Sequence, residues 1–302
     1  MATTPATDAV MAKAIAAAFA RLVAEPLGQG LYIVATPIGN LGDVSLRALS
    51  VLARADDVYC EDTRHSRKLL SAYGLGRRLM AYHDHSDDRS REAILARLAE
   101  GRTAALISDA GTPLVSDPGY KLARAAQERG IAVFAAPGPC AAVAALSISG
   151  LPSDAFHFAG FPPNRDAARR TALAALANIP ATLILYEAAN RLARTLSDMA
   201  EVFPGRDAAV ARELTKLHEE VRRGPIADLA AEDWSAVKGE IVILVGPPPE
   251  QAAVSDDDLD ARLWAALQRS TLRDAVEEVA RGLGVQRKRV YDRAILLQRR
   301  GG

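Results

Sequence analysis

Short apolar runs alternate with helical stretches between residues 31 and 150. The runs rich in strand-forming residues are 31–36, 57–61, 103–108 and 131–135. Apolar positions recur at helical spacing over 44–54, 86–98, 120–128 and 140–146. Strands separated by helices are typical of βαβ units. This segment is therefore predicted to form an α/β domain around a largely parallel sheet.

A second domain with a different rhythm is predicted over residues 151–248, after a turn-prone segment at 150–154. Helices are expected at 167–177 and at 190–202. Strands are expected at 181–186, 208–211, 219–222 and 240–245. Strands outnumber helices here, so this half is predicted to be a strand-rich α+β unit rather than a second series of βαβ repeats.

A third segment, residues 249–302, is predicted to form a small C-terminal domain of short helices after the proline-rich linker 246–250. The expected helices span 259–267, 272–282 and 285–297. The whole chain of 302 residues is electrically neutral, with 37 basic and 37 acidic side chains. Residues 269–300, however, contain nine Arg or Lys against four Asp or Glu. This basic tail is either a solvated appendage or a surface for nucleic-acid phosphates.

The remaining sequence features exclude several classes of protein. No apolar run approaches the roughly 20 residues that a membrane-spanning helix needs. Cys60 and Cys140 are too few for a disulfide framework, and no metal site is expected because no Cys/His cluster has ligand spacing. Residues 1–30 form an alanine-rich extension without the charge order of a secretory signal, predicted as a poorly ordered start and a short helix. We therefore expect a cytoplasmic protein.

Three loops rich in glycine, proline and small polar residues follow predicted strands of the first domain, at 36–43, 108–119 and 136–141. In a parallel sheet, ligands bind beyond the carboxyl ends of the strands. Each loop alone is explained equally well as a tight turn, but three together favour one shared pocket. No dinucleotide fingerprint or P-loop is present. The pattern thus predicts a compact ligand held by backbone groups.

The motifs in these loops carry a family resemblance. They are Leu31–Asp43, Cys60–Arg64, Ser108–Gly119, Ala136–Pro139 and Tyr186–Leu192. Together they resemble the ribosomal RNA small subunit methyltransferase I family, within the tetrapyrrole-methylase-like superfamily. The resemblance covers residues 31–248, and Val285–Tyr291 resembles the family's small C-terminal helical domain. It implies two α/β domains of the tetrapyrrole-methylase (class III methyltransferase) type with a ligand cleft between them.

The resemblance also implies an activity, a cofactor and partners. The expected reaction is methylation of a cytidine ribose 2′-hydroxyl (cytidine-1402) of 16S rRNA, with S-adenosylmethionine as methyl donor. The expected partners are 16S rRNA or the small ribosomal subunit, and a second copy of the chain in a homodimer. Matched residue by residue, the cofactor should contact Pro37, Ile38, Gly39, Asp109, Gly111, Thr112, Pro113, Leu114, Pro139, Cys140, Tyr186 and Leu214.

Charged residues near these motifs are candidates for catalysis. Lys216 is expected to lower the pKa of the 2′-hydroxyl, because a nearby cation favours the anion. Glu213 or Asp62 is expected to take the proton, with Arg64 close by in sequence. Ordinary ion pairs are the simpler explanation for each of these charges. The candidate RNA-binding residues are Arg67, Lys68, Arg287, Lys288 and Arg289.

Two other functions are compatible with the same sequence. The first keeps the fold and changes the acceptor to a tetrapyrrole or corrinoid precursor. The second is a non-enzymatic nucleic-acid-binding protein whose tail forms a helix-turn-helix-like module. The basic tail argues against the first alternative, because a small tetrapyrrole does not need it. The three glycine- and proline-rich loops argue against the second.

Overall fold

The computed structural model describes residues 5–83, 88–249, 255–283 and 285–300. The chain divides into two compact units, one ending at Pro247 and the other beginning at Pro248. The first unit holds two five-stranded sheets. The further division of this unit into domains at residues 150 and 151 stays a prediction.

The first sheet is entirely parallel, in the order β3-β2-β4-β1-β5. Its strands are β1 (Gly30–Val34), β2 (Asp57–Cys60), β3 (Leu79–Ala81), β4 (Thr103–Ile107) and β5 (Val133–Ala136). The helices between and after them are α2 (Leu46–Arg54), α3 (Thr63–Ala72), α4 (Asp88–Ala99), α5 (Tyr120–Glu128) and α6 (Ala141–Ser149). The predicted parallel α/β architecture is confirmed. Residues 86 and 87 of the helix predicted over 86–98 lie outside the described residues.

Side chains of the first sheet enter two hydrophobic cores because neighbouring residues of a strand point to opposite faces. Tyr32 and Val34 of β1 belong to the core that includes residues of α2 and α3. Leu31 belongs to the core that includes residues of α4 and α5. Burial on both faces explains why these strands appear in the sequence as continuous apolar runs.

The N-terminal extension is more regular than the sequence predicts. Its described part forms one 20-residue helix, α1 (Pro5–Ala24), instead of a short one. Alanine has the highest intrinsic helix propensity, which accounts for the length. The end of the helix is attached to α2, because the Ser50 hydroxyl donates to the Leu22 carbonyl and the Arg54 guanidinium donates to the Val23 carbonyl.

The second sheet is mixed, in the order β6-β7-β10-β8-β9. Its strands are β6 (Phe156–Gly160), β7 (Thr182–Ala188), β8 (Asp207–Arg212), β9 (Glu220–Pro225) and β10 (Glu240–Val245). Only β6 and β7 pair in parallel, and β10 runs antiparallel to both of its neighbours. Three helices accompany it: α7 (Asp166–Leu176), α8 (Leu192–Val202) and α9 (Ile226–Ala231). The central position of β10 brings its first residues next to the end of β7.

The C-terminal unit contains the three predicted helices, α10 (Asp256–Leu267), α11 (Leu272–Leu283) and α12 (Arg287–Arg300). Leu259, Leu263, Val276 and Val290 contribute to its own apolar core. Residue 250 of the predicted linker lies outside the described residues. Within the part of the chain that the structure describes, no helix has the length and apolar content that crossing a membrane requires.

Candidate functional site

The three loops that follow β1, β4 and β5 meet at one cavity of about 450 Å³. This volume lies within the usual range for small-molecule sites. The first sheet contributes Ile38, residues 109–112, residues 115–117, Cys140 and Ala141, together with Glu61 from the end of β2. The second sheet and its loops contribute Phe161, residues 186–188, Leu214 and residues 239–242. The predicted convergence of the loops is confirmed.

Hydrogen bonds between the loops fix this convergence. Thr36 and Gly111 exchange two backbone hydrogen bonds of 2.8 and 3.0 Å, which join the first loop to the second. The Thr112 hydroxyl donates to the Pro139 carbonyl at 3.0 Å, which joins the second loop to the third. Gly111 has a φ of +84°, a conformation that favours glycine. The cavity wall is thus built largely from backbone with a defined shape.

Seven of the twelve predicted cofactor residues line the cavity, namely Ile38, Asp109, Gly111, Thr112, Cys140, Tyr186 and Leu214. The other five belong to the same loops without lining it, namely Pro37, Gly39, Pro113, Leu114 and Pro139. Gly39 has a structural reason for its identity. A β-carbon there would overlap the side chain of Lys216 and would lie 3.1 Å from the Leu214 carbonyl oxygen. Because glycine has no β-carbon, the first loop packs closely on the segment after β8.

The lining of the cavity is strongly acidic. It includes Glu61, Asp109, Asp117, Glu187 and Glu240, and no Lys or Arg side chain from the described part of the chain. Two of these carboxylates are paired with cations: Glu187 with Arg191 at 2.9 Å and Glu240 with Lys216 at 2.8 Å. The other three form no ion pair with a described residue. An acidic, partly apolar cavity of this kind favours a positively charged organic ligand.

Asp117 has the most perturbed carboxyl group of the cavity. Burial raises its pKa to about 6, and repulsion by Glu61 and Asp109 acts in the same direction. A hydrogen bond with the Ser108 side chain only partly offsets these effects. The sequence places Asp117 in a candidate loop but gives no sign that this residue differs from its neighbours.

Tyr186 and Phe161 form the aromatic side of the cavity. The Tyr186 hydroxyl accepts a hydrogen bond of 3.1 Å from the Ala142 amide near the start of α6, and burial raises its pKa. Phe161 packs edge-on against Tyr186, with ring centroids 5.4 Å apart, and is 58% exposed. Phe161 is not among the predicted site residues. The sequence signal nearest to Phe161 is the Pro162–Pro163 pair that follows it, which indicates a turn and not a ligand contact.

The four predicted catalytic residues do not line the cavity themselves. The Lys216 ammonium lies 2.9 Å from the Glu213 carboxylate and 2.8 Å from that of Glu240. Burial alone would lower the pKa of Lys216, but these two carboxylates raise it above its usual value. The hydrogen bond from Lys216 lowers the pKa of Glu213 in turn. Lys216 is therefore a fixed cation, linked to the cavity through Glu240.

Asp62 is the N-cap residue of α3 and Arg64 lies in the first turn of that helix, close to the cavity residue Glu61. The Asp62 side chain caps the helix by accepting the Arg64 amide at 2.7 Å and the His65 amide at 3.4 Å. These backbone hydrogen bonds lower the pKa of Asp62. A capping carboxylate with a low pKa is a weak proton acceptor at neutral pH. Arg64 is exposed.

The candidate RNA-binding residues lie on two helix surfaces. Arg67 and Lys68 are exposed on α3, and Arg287 and Lys288 are exposed at the start of α12. Arg289 is also exposed but forms a 3.0 Å ion pair with Asp256 of α10. Arg293 pairs with Asp260 in the same way. Acidic residues of α10 therefore neutralise part of the basic tail, a pairing across helices that a count of charges cannot show.

Comparisons with known proteins match both units. Residues 30–230 match the family model of the Tetrapyrrole (Corrin/Porphyrin) Methylases, and residues 253–298 match that of the RsmI C-terminal HTH domain. A curated protein of Mesorhizobium japonicum named "Ribosomal RNA small subunit methyltransferase I" is 49% identical, covering 92% of this chain and 96% of that one. Proteins of the same name from Erythrobacter litoralis and Escherichia coli O157:H7 are 52% and 45% identical, covering 91% and 88% of this chain and 98% and 94% of their own lengths.

Solved structures share the fold. Uroporphyrin-III-C-methyltransferase from Thermus thermophilus aligns with a TM-score of 0.52 and 25% identity, covering 72% of this chain and 94% of that one. Diphthine synthase aligns with a TM-score of 0.57 and 16% identity, covering 72% and 89%. These likenesses confirm the predicted tetrapyrrole-methylase fold.

Proposed function

Because the chain belongs to the ribosomal RNA small subunit methyltransferase I family, we propose that its acceptor is the ribose 2′-hydroxyl of a cytidine in 16S rRNA (cytidine-1402). Membership of this family identifies an rRNA methyltransferase of the small subunit, so the non-enzymatic alternative is not supported. The tetrapyrrole-precursor alternative has weaker support, since the uroporphyrin-III methylase shares only 25% identity. The observation that carries the proposal is the acid-lined cavity where the three loops meet.

We propose S-adenosylmethionine as the methyl donor in this cavity. When bound, it supplies an electrophilic methyl group on a positively charged sulfur. The acidic lining suits a cation, and Ile38, Leu214 and Val242 provide apolar wall for the rest of the molecule. The seven predicted cofactor residues that line the cavity are the proposed contacts. Rigid positioning by the hydrogen-bonded loops supplies part of the catalysis, because an in-line displacement depends on alignment.

We assign Lys216 a positioning role at the rim of the cavity. Its ammonium holds the Glu240 carboxylate, which lines the cavity, and the Glu213 carboxylate, which does not. The raised pKa keeps Lys216 protonated at neutral pH, so it cannot act as a proton acceptor. It acts through the two carboxylates and through its close packing on Gly39.

A methyl-transfer assay tests the proposal directly. Small ribosomal subunits that lack the modification are incubated with the protein and labelled S-adenosylmethionine, and the label is mapped by nuclease digestion and mass spectrometry. We expect label on the ribose of one cytidine of 16S rRNA. Label on a base, label on another RNA, or transfer only to a tetrapyrrole precursor would contradict the proposal.

The exposed cations of α12 give a second prediction. Replacing Arg287 and Lys288 together by glutamine should weaken RNA binding and lower the slope of log affinity against log salt by up to about 0.7 per lost phosphate contact. The control is the double substitution of Arg269 and Arg281, which are paired with Glu278 and Glu277. Filter binding at several salt concentrations measures both variants. Equal slopes for the two variants would show that Arg287 and Lys288 of α12 do not contact RNA phosphates.

Two further properties stay predictions. We propose that the protein acts in the cytoplasm, which is compatible with the free thiols of Cys60 and Cys140. We also propose a homodimer, as the family resemblance implies. Light scattering at assay concentration should give twice the chain mass of 32.1 kDa.

A further inference from the structure

The acidic residues of the cavity differ in how far neighbouring cations and hydrogen-bond donors compensate their charges. Glu187 accepts hydrogen bonds from the Thr195 hydroxyl at 2.5 Å and from the Ala188 amide at 2.7 Å, and it pairs with Arg191. Glu240 is held by Lys216. These two carboxylates are neutralised by cations within the fold, so neither is suited to take a proton during a reaction.

Asp109, Glu61 and Asp117 form the remaining acidic group. Asp109 accepts the backbone amide of Asp62 at 3.3 Å. Glu61 and Asp117 form no ion pair with any described residue, and burial and nearby like charges raise the pKa of Asp117. Both of the other carboxylates of this group repel Asp117, which is itself partly buried.

The acidic groups that face Asp117 leave its negative charge without a compensating cation. The Glu61 and Asp109 carboxylates repel it from the ends of β2 and β4, and the Tyr186 phenol interacts with it from β7. The Ser108 side chain is its one favourable partner among the described groups. The other polar side chains of the lining are the Thr112 and Ser116 hydroxyls, the Cys140 thiol, Glu187 and Glu240. Burial and repulsion together bring the pKa of Asp117 to about 6, close to a physiological pH.

The backbone around Asp117 is held in an unusual conformation. Leu114 and Ser116 have φ values of +72° and +63°, in the left-handed region that non-glycine residues rarely adopt. Gly119 follows with a φ of +125°, and a β-carbon there would press on Leu106 and Leu114. Such strain persists only where the surrounding fold imposes it, and it is concentrated at functional sites. This loop therefore fixes the place of Asp117 in the cavity wall.

We propose that Asp117 is the catalytic base that takes the proton from the ribose 2′-hydroxyl, a role that rests on the proposed function. The hydroxyl oxygen forms its bond to the methyl carbon while its proton moves to the Asp117 carboxylate. The electron pair of the broken carbon–sulfur bond stays with sulfur, which becomes a neutral thioether. The proton leaves Asp117 for solvent after product release, so the carboxylate is regenerated.

The proposal predicts a pH dependence with a definite sign. Below pH 6, Asp117 is protonated and cannot accept a proton, so kcat/KM for the methyl donor should rise with pH through about 6. This parameter reports ionisations of the free enzyme. A cation bound beside the acidic group lowers the pKa of Asp117. The rise of kcat with pH should therefore occur at a lower pH than the rise of kcat/KM.

The test compares Asp117→Asn with the wild type and with the exposed control Asp154→Asn. General-base catalysis contributes about 10²–10⁴-fold, so kcat of Asp117→Asn should fall by roughly that factor. The affinity for S-adenosylmethionine, measured by calorimetry, should fall far less than kcat, since only one of the five lining carboxylates is lost. The rise of kcat/KM near pH 6 should disappear. Asp117→Glu should recover part of kcat. Asp154→Asn should match the wild type in every measurement.

Different failures have different meanings. A wild-type protein that transfers no methyl group to small subunits refutes the proposed function, whatever Asp117 does. If the wild type is active, wild-type kcat in Asp117→Asn overturns the role of Asp117. The role of Asp117 is also overturned if kcat/KM of Asp117→Asn still rises near pH 6. It is overturned as well if a loss of donor affinity accounts for the whole loss of activity. Thermal melting checks folding, and removal of a repelled charge should leave the melting temperature of Asp117→Asn unchanged or higher.

Discussion

Replacing Arg169 by leucine is expected to lower the free energy of unfolding by about 3–5 kcal/mol, the usual cost of leaving a buried charge without its partner. Arg169 lies on α7 and is only 1% exposed. Its guanidinium donates to the Asp198 carboxylate of α8 at 2.7 Å and to Asp166 at 2.8 Å. The substitution leaves Asp198, itself 3% exposed, short of charge compensation. Urea denaturation at pH 7 measures the loss.

The neighbouring residue provides a matched control. Arg170 binds the other oxygen of the same carboxylate at 2.7 Å, but its side chain is 56% exposed. Arg170→Leu should therefore cost at most about 1 kcal/mol, as is usual for exposed ion pairs. Equal losses for the two variants would contradict the argument, because the difference rests entirely on burial.

Acid should weaken this ion-pair network. Burial alone would raise the pKa of Asp198, but Arg170 and Arg169 outweigh it, so the pKa is lower than usual. A group whose pKa is depressed by folding stabilises the protein above its unfolded pKa of about 3.9, and the contribution is lost as the pH falls through the folded value. The difference in unfolding free energy between wild type and Arg169→Leu should thus shrink below about pH 4.

The sequence predicted the fold best where a strand is buried on both faces. Leu31 and Val34 of β1 are fully buried, and the continuous apolar run around them identified the strand. β3 and β6 were not predicted. β3 has three residues, none of them fully buried, and β6 is exposed at Phe156 and His157 with a shift of register before Gly160. Such strands form through pairing with a neighbouring strand, and this pairing leaves no clear local pattern of residues in a single sequence.

The candidate site was predictable where it follows local chain chemistry. The three loops were found because glycine and proline mark turns after strands. Residues 239–242 were not found, although they line the cavity, because their place depends on β10 lying between β7 and β8. The environments of the charged residues were harder still to predict. Nothing local distinguishes Asp62, which caps a helix, from Asp117, which faces two other carboxylates.

Replacing Gly239 by alanine is the second large effect that we expect. Gly239 has a φ of +94°, and a β-carbon there would overlap the carboxylate of Glu213. The left-handed backbone alone costs an alanine about 1–2 kcal/mol. Glu213 would also lose its hydrogen bonds with the Lys216 ammonium and the Glu240 amide. A hydrogen bond to a charged group contributes about 1.5–3 kcal/mol, so the backbone cost and the two lost hydrogen bonds together should lower the unfolding free energy by about 4 kcal/mol or more.

Two comparisons separate the backbone cost of Gly239→Ala from the cost of the overlap. Gly205 has a similar backbone, with a φ of +73°, and open space where a β-carbon would lie. Gly205→Ala should therefore show only the backbone cost. In a protein that already carries Glu213→Ala, the overlap is removed, so Gly239→Ala should again cost only about 1–2 kcal/mol. Donor affinity should fall in the Gly239→Ala single variant, because Gly239, Glu240 and Leu214 all line the cavity. Equal costs for Gly239→Ala with and without Glu213 would mean that the carboxylate does not hold this rim in place.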